Sequence, residues 1–178
     1  MQPDELSFDS SFFRTALGRF ATGVTVITTE AGVAGTEPQP MGLTVNSFNA
    51  VSLSPPLVLW SLARTASAYD AFMACESYVI QVLAASQSEL ALRFARGTQA
   101  DRFADMPIAR APGGTLMLDT VSASWFECTP YSHHEAGDHT IMVAQVRHCG
   151  HASVAPLVFH AGGFDLTPLP EVIAGDPT

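Results

Sequence analysis

Three short segments carry side chains whose types and spacing could do chemistry. Gly137-Asp138-His139 sets a carboxylate beside an imidazole at the mouth of a strand, where the acid can orient the ring and the glycine permits the turn. Ser61-Leu62-Ala63-Arg64-Thr65-Ala66-Ser67 gathers a guanidinium and hydroxyls next to a helix start, a set that suits an anion. Thr44-Val45-Asn46-Ser47-Phe48 offers short polar groups along a strand, with Val45 and Phe48 for apolar contact or core. Each segment also has an ordinary structural reading: a histidine opening a strand, a capped helix with a solvated arginine, a strand ending in a polar turn.

Two competing chemistries have weaker support. His133-His134-Glu135 with Asp138 and His139 are possible metal ligands, but adjacent loop histidines rarely converge and no HExxH or spaced Cys/His set accompanies them, so no metal site is assigned. A Ser-His-Asp hydrolase would need a GxSxG elbow, and a dinucleotide or P-loop fold its glycine fingerprint; the sequence has neither.

The elements that must position these segments follow from periodicity. Residues 9–20 give an N-cap in Asp9 and a stripe of Phe12, Phe13, Ala16, Leu17 and Phe20, which predicts a helix covering one face of a sheet. The β-branched run 24–29 reads as a half-buried strand, followed by a loop through Gly32, Gly35, Pro38 and Pro40. Strands are expected at 41–48 and 57–62, separated by Ser54-Pro55-Pro56. Thr65 can cap a helix running to about Ala74, and 78–83 reads as a strand. A second helix has Ser86 and Glu89 as a capping box, Leu90, Ala91 and Phe94 facing inward, and Gly97 as its stop. Residues 116–128 and 139–149 are expected to pair as a hairpin across a turn at 130–138, with 157–160 closing the sheet. Many strands, short helices and no regular βαβ alternation favour a mainly β fold with peripheral helices, an antiparallel barrel rather than a doubly wound sheet.

Composition bounds the function. A chain of 178 residues suits one domain with a sizeable core. Hydrophobic residues at 47% against 14% charged leave little charged surface, a balance that often conceals an oligomer contact. A net charge of -9 with only eight cations argues against nucleic acid as a partner. Cys75, Cys128 and Cys149 form no CxxC pair, fit a reduced cytoplasmic protein, and read as small core hydrophobes. The acidic start at residues 1–5 lacks the basic and apolar runs of an export signal, and no apolar stretch nears the roughly 20 residues that span a bilayer.

In order along the chain, FFRTALGRFATGVTVITT, GLTVNSFNAVSLSPPLVLWSL, SLARTASAYDAF, LALRFARGTQADRF, GDHTIMVAQV and PLVFHAGGF resemble the flavin reductase family. The resemblance covers nearly the whole chain. It implies an FMN-binding split β-barrel, a homodimer with flavin near the subunit interface, and hydride transfer from NADH or NADPH to FMN or FAD, with reduced flavin supplied to a separate monooxygenase. It implies that Thr44, Val45, Asn46 and Ser47 wall the flavin ring and that the Ser61, Leu62, Arg64 and Ser67 segment meets the phosphate, Arg64 and Ser67 foremost. Arg102 becomes a further phosphate or pyrophosphate contact, and Phe94 either packs on the flavin or serves as core. His139 falls on the nicotinamide side, with Asp138 setting its orientation. Gln81 stands where the family often has Asn, and Phe159 or Phe164 where it has Tyr, so contacts at those points are open. An FMN-retaining oxidoreductase acting on an organic substrate, or a flavin-binding protein with little reductase activity, are the alternatives.

Overall fold

The computed structural model describes residues 7–32 and 37–165; the acidic start and Gly35 lie outside the described residues. The chain runs α1 (Ser10–Leu17), β1 (Thr22–Gly23), β2 (Thr25–Ala31), β3 (Gln39–Val45), β4 (Asn49–Leu53), β5 (Pro56–Ala63), α2 (Tyr69–Ala74), β6 (Tyr78–Val82), a 3₁₀ turn at Ala85–Gln87, α3 (Ser88–Ala95), α4 (Gln99–Phe103), β7 (Ile108–Arg110), β8 (Leu116–Leu118), β9 (Ser124–Ala136), β10 (His139–His151), β11 (Val158–His160) and β12 (Gly163–Asp165). Seven strands form the principal sheet in the order β3-β2-β6-β9-β10-β5-β4, every neighbour antiparallel.

The two edge strands of that sheet are sequence neighbours, and this forces its shape. Seven strands laid flat would hold their edges about 29 Å apart at the usual strand spacing. The link from Val45 to Asn49 can reach at most about 14 Å. The sheet therefore curls until β3 and β4 approach at residues 46–48, although the two do not pair and the sheet stays open. Its inner face gathers Ile27, Val45, Val58, Trp60, Leu62, Tyr78, Ile80, Cys128, Met142 and Ala144 into one buried cluster, contributed by six of the seven strands. Strands β5 and β10 alternate buried and half-buried positions in the period of a strand with one dry face. Strand β2 is buried at five successive positions because a second cluster, built from Val24, Val26, Leu83, Ala91, Phe94, Leu118 and Leu157, covers its other face.

Several elements differ from the sequence reading. Asp9 caps α1 as expected, accepting from the Phe12 amide at 2.7 Å, but the helix buries nothing: Phe12, Leu17 and Phe20 are 68%, 57% and 73% exposed. An amphipathic pattern shows that a face seeks cover without saying what supplies it. Helix α2 starts at Tyr69 rather than Thr65, because the preceding residues form successive tight turns, Ala66 N–H to Ala63 and Tyr69 N–H to Ala66. The Ser86/Glu89 box does not form; Gln87 Oε1 instead accepts from the Ala84 amide at 2.8 Å while its Nε2 donates to Thr120. The long hairpin pairs β9 with β10 around the two-residue turn Gly137-Asp138, with Gly137 at φ 63°, so residues 130–136 are strand, not turn. Residues 116–118 leave that hairpin to pair with β7. Strand β11 joins β1 and β12 in a small sheet and does not close the principal one. Residues 49–53, between the two expected strands and assigned to neither, form edge strand β4. Cys128 is core, Cys75 half-buried and Cys149 exposed, so the reading of all three as core holds for one.

Candidate functional site

An edge strand must satisfy its unpaired backbone, and at β3 helix α4 does so. The Gly42 amide donates to Gln99 Oε1 at 2.9 Å, and the Gly42 carbonyl accepts from Arg102 Nη1 at 2.6 Å. A Cβ on Gly42 would lie 2.8 Å from the Phe94 ring, so only glycine lets α3 and α4 close on this strand. Phe94 is fully buried there, edge-on to Phe103 at 5.1 Å between ring centroids.

The side chain that closes this corner is Arg102, only 8% exposed. Its Nε donates to the Arg96 carbonyl at 3.0 Å and Nη2 to the Gly97 carbonyl at 3.3 Å. With Nη1 on Gly42, three of the five N–H donors of a guanidinium are engaged, all by neutral acceptors. No carboxylate among the described residues pairs with it. Burial pulls its pKa below the ordinary arginine value, the signature of a desolvated charge without a counter-charge.

Arg102 lines a cavity of about 300 Å³ together with Thr44, Thr65, Ser67 and Phe94. The Thr44 hydroxyl donates to the Ala91 carbonyl at 2.7 Å and so faces the cavity only as an acceptor. The hydroxyls of Thr65 and Ser67, and the backbone amides of Thr65, Ser67 and Ala68, have no hydrogen-bond partner among the described residues. Free amides, hydroxyls and a buried cation on the residues around one cavity make a cradle that could hold an anion of phosphate size. A larger cavity of about 810 Å³ is lined by Glu30, Glu37, Asp70 and Glu76, which would repel the same anion.

From this cradle the ladder leads directly to the acid–imidazole pair. The Arg64 amide donates to the Asp138 carbonyl at 3.0 Å, and in the β5–β10 register Ala63 faces His139 and Ser61 faces Ile141. Ser47 ties in the third segment, its hydroxyl accepting from the Ser61 amide at 2.9 Å. His139 Nδ1 lies 2.7 Å from Asp138 Oδ1, and that bond holds the Asp138 carboxyl below its usual pKa. Both side chains are open to solvent, at 43% and 94% exposure. Arg64 points to Glu135, 3.8 Å away, and does not line the cavity.

The structure thus brings Thr44, Ser67, Phe94 and Arg102 to one cavity and joins them through the ladder to Asp138 and His139. Val45 and Leu62 are core side chains, and Asn46 is exposed. Gln81 is fully buried and clamps both backbone groups of Leu118, at 2.8 and 3.0 Å, which accounts for an amide at that position without a ligand. Sequence reading expected amides here from a helix start near Thr65; in the structure they are turn amides, of Thr65, Ser67 and Ala68, ahead of a helix that begins at Tyr69. It missed Tyr69, whose partner is distant in sequence. Among the described residues no group of three or more His, Cys, Asp or Glu could hold a metal ion. Among the described residues no helix is long and apolar enough to cross a membrane.

A mainly β antiparallel sheet with this cavity beside an acid–imidazole pair is an arrangement that could hold a phosphate-bearing ligand against a polar, accessible face. The chain belongs to the flavin reductase family: the flavin reductase like domain matches residues 17–167. It is 44% identical over 156 residues to the FMN reductase (NADH) SmoA of Agrobacterium fabrum, covering 88% of this chain and 85% of that one. The reductase component of a flavin-dependent trigonelline monooxygenase from Acinetobacter baylyi is 40% identical over 151 residues, 85% of this chain but 47% of that protein. Among solved structures, the NADH:FAD oxidoreductase SgcE6 of Streptomyces globisporus C-1027, in complex with NAD and FAD fragments, superimposes with a TM-score of 0.83 at 30% identity, covering 94% of this chain and 99% of that one.

Proposed function

We propose that this chain is an NADH:flavin oxidoreductase that supplies reduced flavin to a separate monooxygenase. The observation that carries the reading is the buried, uncompensated Arg102 in a cavity that Thr65 and Ser67 also line, on a turn whose first bond, the Arg64 amide to the Asp138 carbonyl, ties it to the strand end bearing His139. The donor set fits a flavin phosphate. NADH, a proton and oxidised flavin give NAD⁺ and reduced flavin, with a hydride passing from the nicotinamide to the flavin ring. The chain's own residues then have only to bind and align. Arg102 neutralises the phosphate and Ser67 with the amides of Thr65, Ser67 and Ala68 grips it, while residues 44–47 wall the ring. His139, oriented by Asp138, holds the nicotinamide.

The curled sheet with edges meeting at residues 46–48 supports the split-barrel form of the fold, as one domain over residues 1–178. The exposed apolar face of α1 supports a homodimer, with that face covered by the second copy. The reductase role and the reduced-thiol reading of the cysteines support a cytoplasmic location. The test is purified protein mixed with NADH, then NADPH, and excess FMN or FAD, followed by loss of flavin absorbance. Turnover with NADH is the expected result; no turnover with any pair overturns the reading. Sedimentation should give a dimer, and Leu17→Glu a monomer.

A further inference from the structure

Residues 65–68 carry three amides and two hydroxyls without partners among the described residues; two turn bonds shape the segment from within, and its place on the sheet is set at its two ends. One end is clear: the Arg64 amide continues the β5–β10 ladder onto Asp138 at 3.0 Å. At the other end the Tyr69 hydroxyl meets the Thr140 hydroxyl at 2.9 Å, across 71 residues of sequence. Thr140 is 1% exposed and is the residue after His139. Nothing else among the described residues bonds its hydroxyl, so losing the tyrosine oxygen would leave it buried and unpaired. We propose that Tyr69 is a positioning residue for the reaction. Its bond to Thr140 locks the phosphate-binding turn to the strand that bears His139, fixing the distance between the phosphate end and the nicotinamide end of the site. The benefit of such a lock is preorganisation: a turn already fixed on the sheet, with amides free of internal partners, needs no reordering when the anion arrives.

This proposal rests on the reductase reading, and its test is built so that the two can fail separately. In the full chain, Tyr69→Phe and Thr140→Val should each raise the Kd and KM for FMN about fivefold, the effect of one net hydrogen bond, while kcat at saturating FMN stays within about twofold. The double variant should be no worse than either single, because both remove one bond. Thr140→Ser, which keeps the hydroxyl, should restore the wild-type Kd. A lower melting temperature with unchanged Kd, additive effects in the double variant, or a Thr140→Ser as weak as Thr140→Val overturns the lock. If the wild-type protein neither binds FMN nor turns it over, the reductase reading falls and amide hydrogen exchange decides the lock. Tyr69→Phe should then speed exchange at Arg64 and Ala66 without speeding it at Met142, and equal exchange at Arg64 and Ala66 in variant and wild type overturns it.

Discussion

The two ends of the site are built on opposite plans. At the end proposed for the phosphate, Arg102 is buried, three backbone carbonyls fix its fork, and Gly42 lets two aromatic rings close behind it. At the end proposed for the nicotinamide, His139 and Asp138 stand in solvent, and Arg64 reaches the exposed Glu135 at a loose 3.8 Å. Desolvation makes the first end expensive to build and strong once occupied, whereas water screens every charge at the second. One end is suited to holding a ligand and the other to letting one come and go.

The comparison breaks first at Arg102. Arg102→Met should weaken FMN about a hundredfold, the scale of lost charge-assisted hydrogen bonds at ~1.5–3 kcal/mol, and should weaken riboflavin, which has no phosphate, far less. Equal losses for the two ligands, read by fluorescence titration, would remove Arg102 from the phosphate site. Gly42→Ala should cost about 1–3 kcal/mol of stability by overpacking, seen in thermal unfolding, because the added methyl strikes Phe94 and Phe103. His139→Ala should slow the NADH-dependent rate about tenfold through lost alignment, with FMN affinity within a few fold. In that variant the Asp138 carboxyl should also titrate higher by NMR, since its depressed pKa comes first from the His139 hydrogen bond. The smallest effect should be Arg64→Ala, worth less than about 1 kcal/mol in nucleotide binding and abolished by salt; a large, salt-resistant loss would mean that Arg64 leaves Glu135 to grip a ligand.

What was legible in the sequence was whatever is written locally. Residues 24–29, 57–62 and 78–83 alternate or branch as strands do, and β2, β5 and β6 fall there. Thr44, Ser67 and His139 stood out as polar residues beside apolar runs, and the roles given to them came from the resemblance to the family. Arg102 was visible only as a cation in Asp101-Arg102-Phe103; its burial depends on carbonyls 5 to 60 residues away. Strand β4 was missed because Asn49, Ser52 and Leu53 look like a connection until β5 pairs with them. Helix α1 was read correctly in its cap and stripe and wrongly in its cover, since the sheet of its own chain leaves that stripe in solvent.

The bonds that make the site span long stretches of chain: Tyr69 to Thr140 over 71 residues, Arg102 to Gly42 over 60, Thr44 to Ala91 over 47. The β2–β3 and β4–β5 hairpins are local and close early, while these distant pairings must wait for loop-closure entropy to be overcome. A chain that has collapsed and formed its hairpins still has no phosphate cradle. Recovery of flavin binding during refolding should therefore trail recovery of strand signal, making the ligand a reporter on the final step by which the chain becomes native.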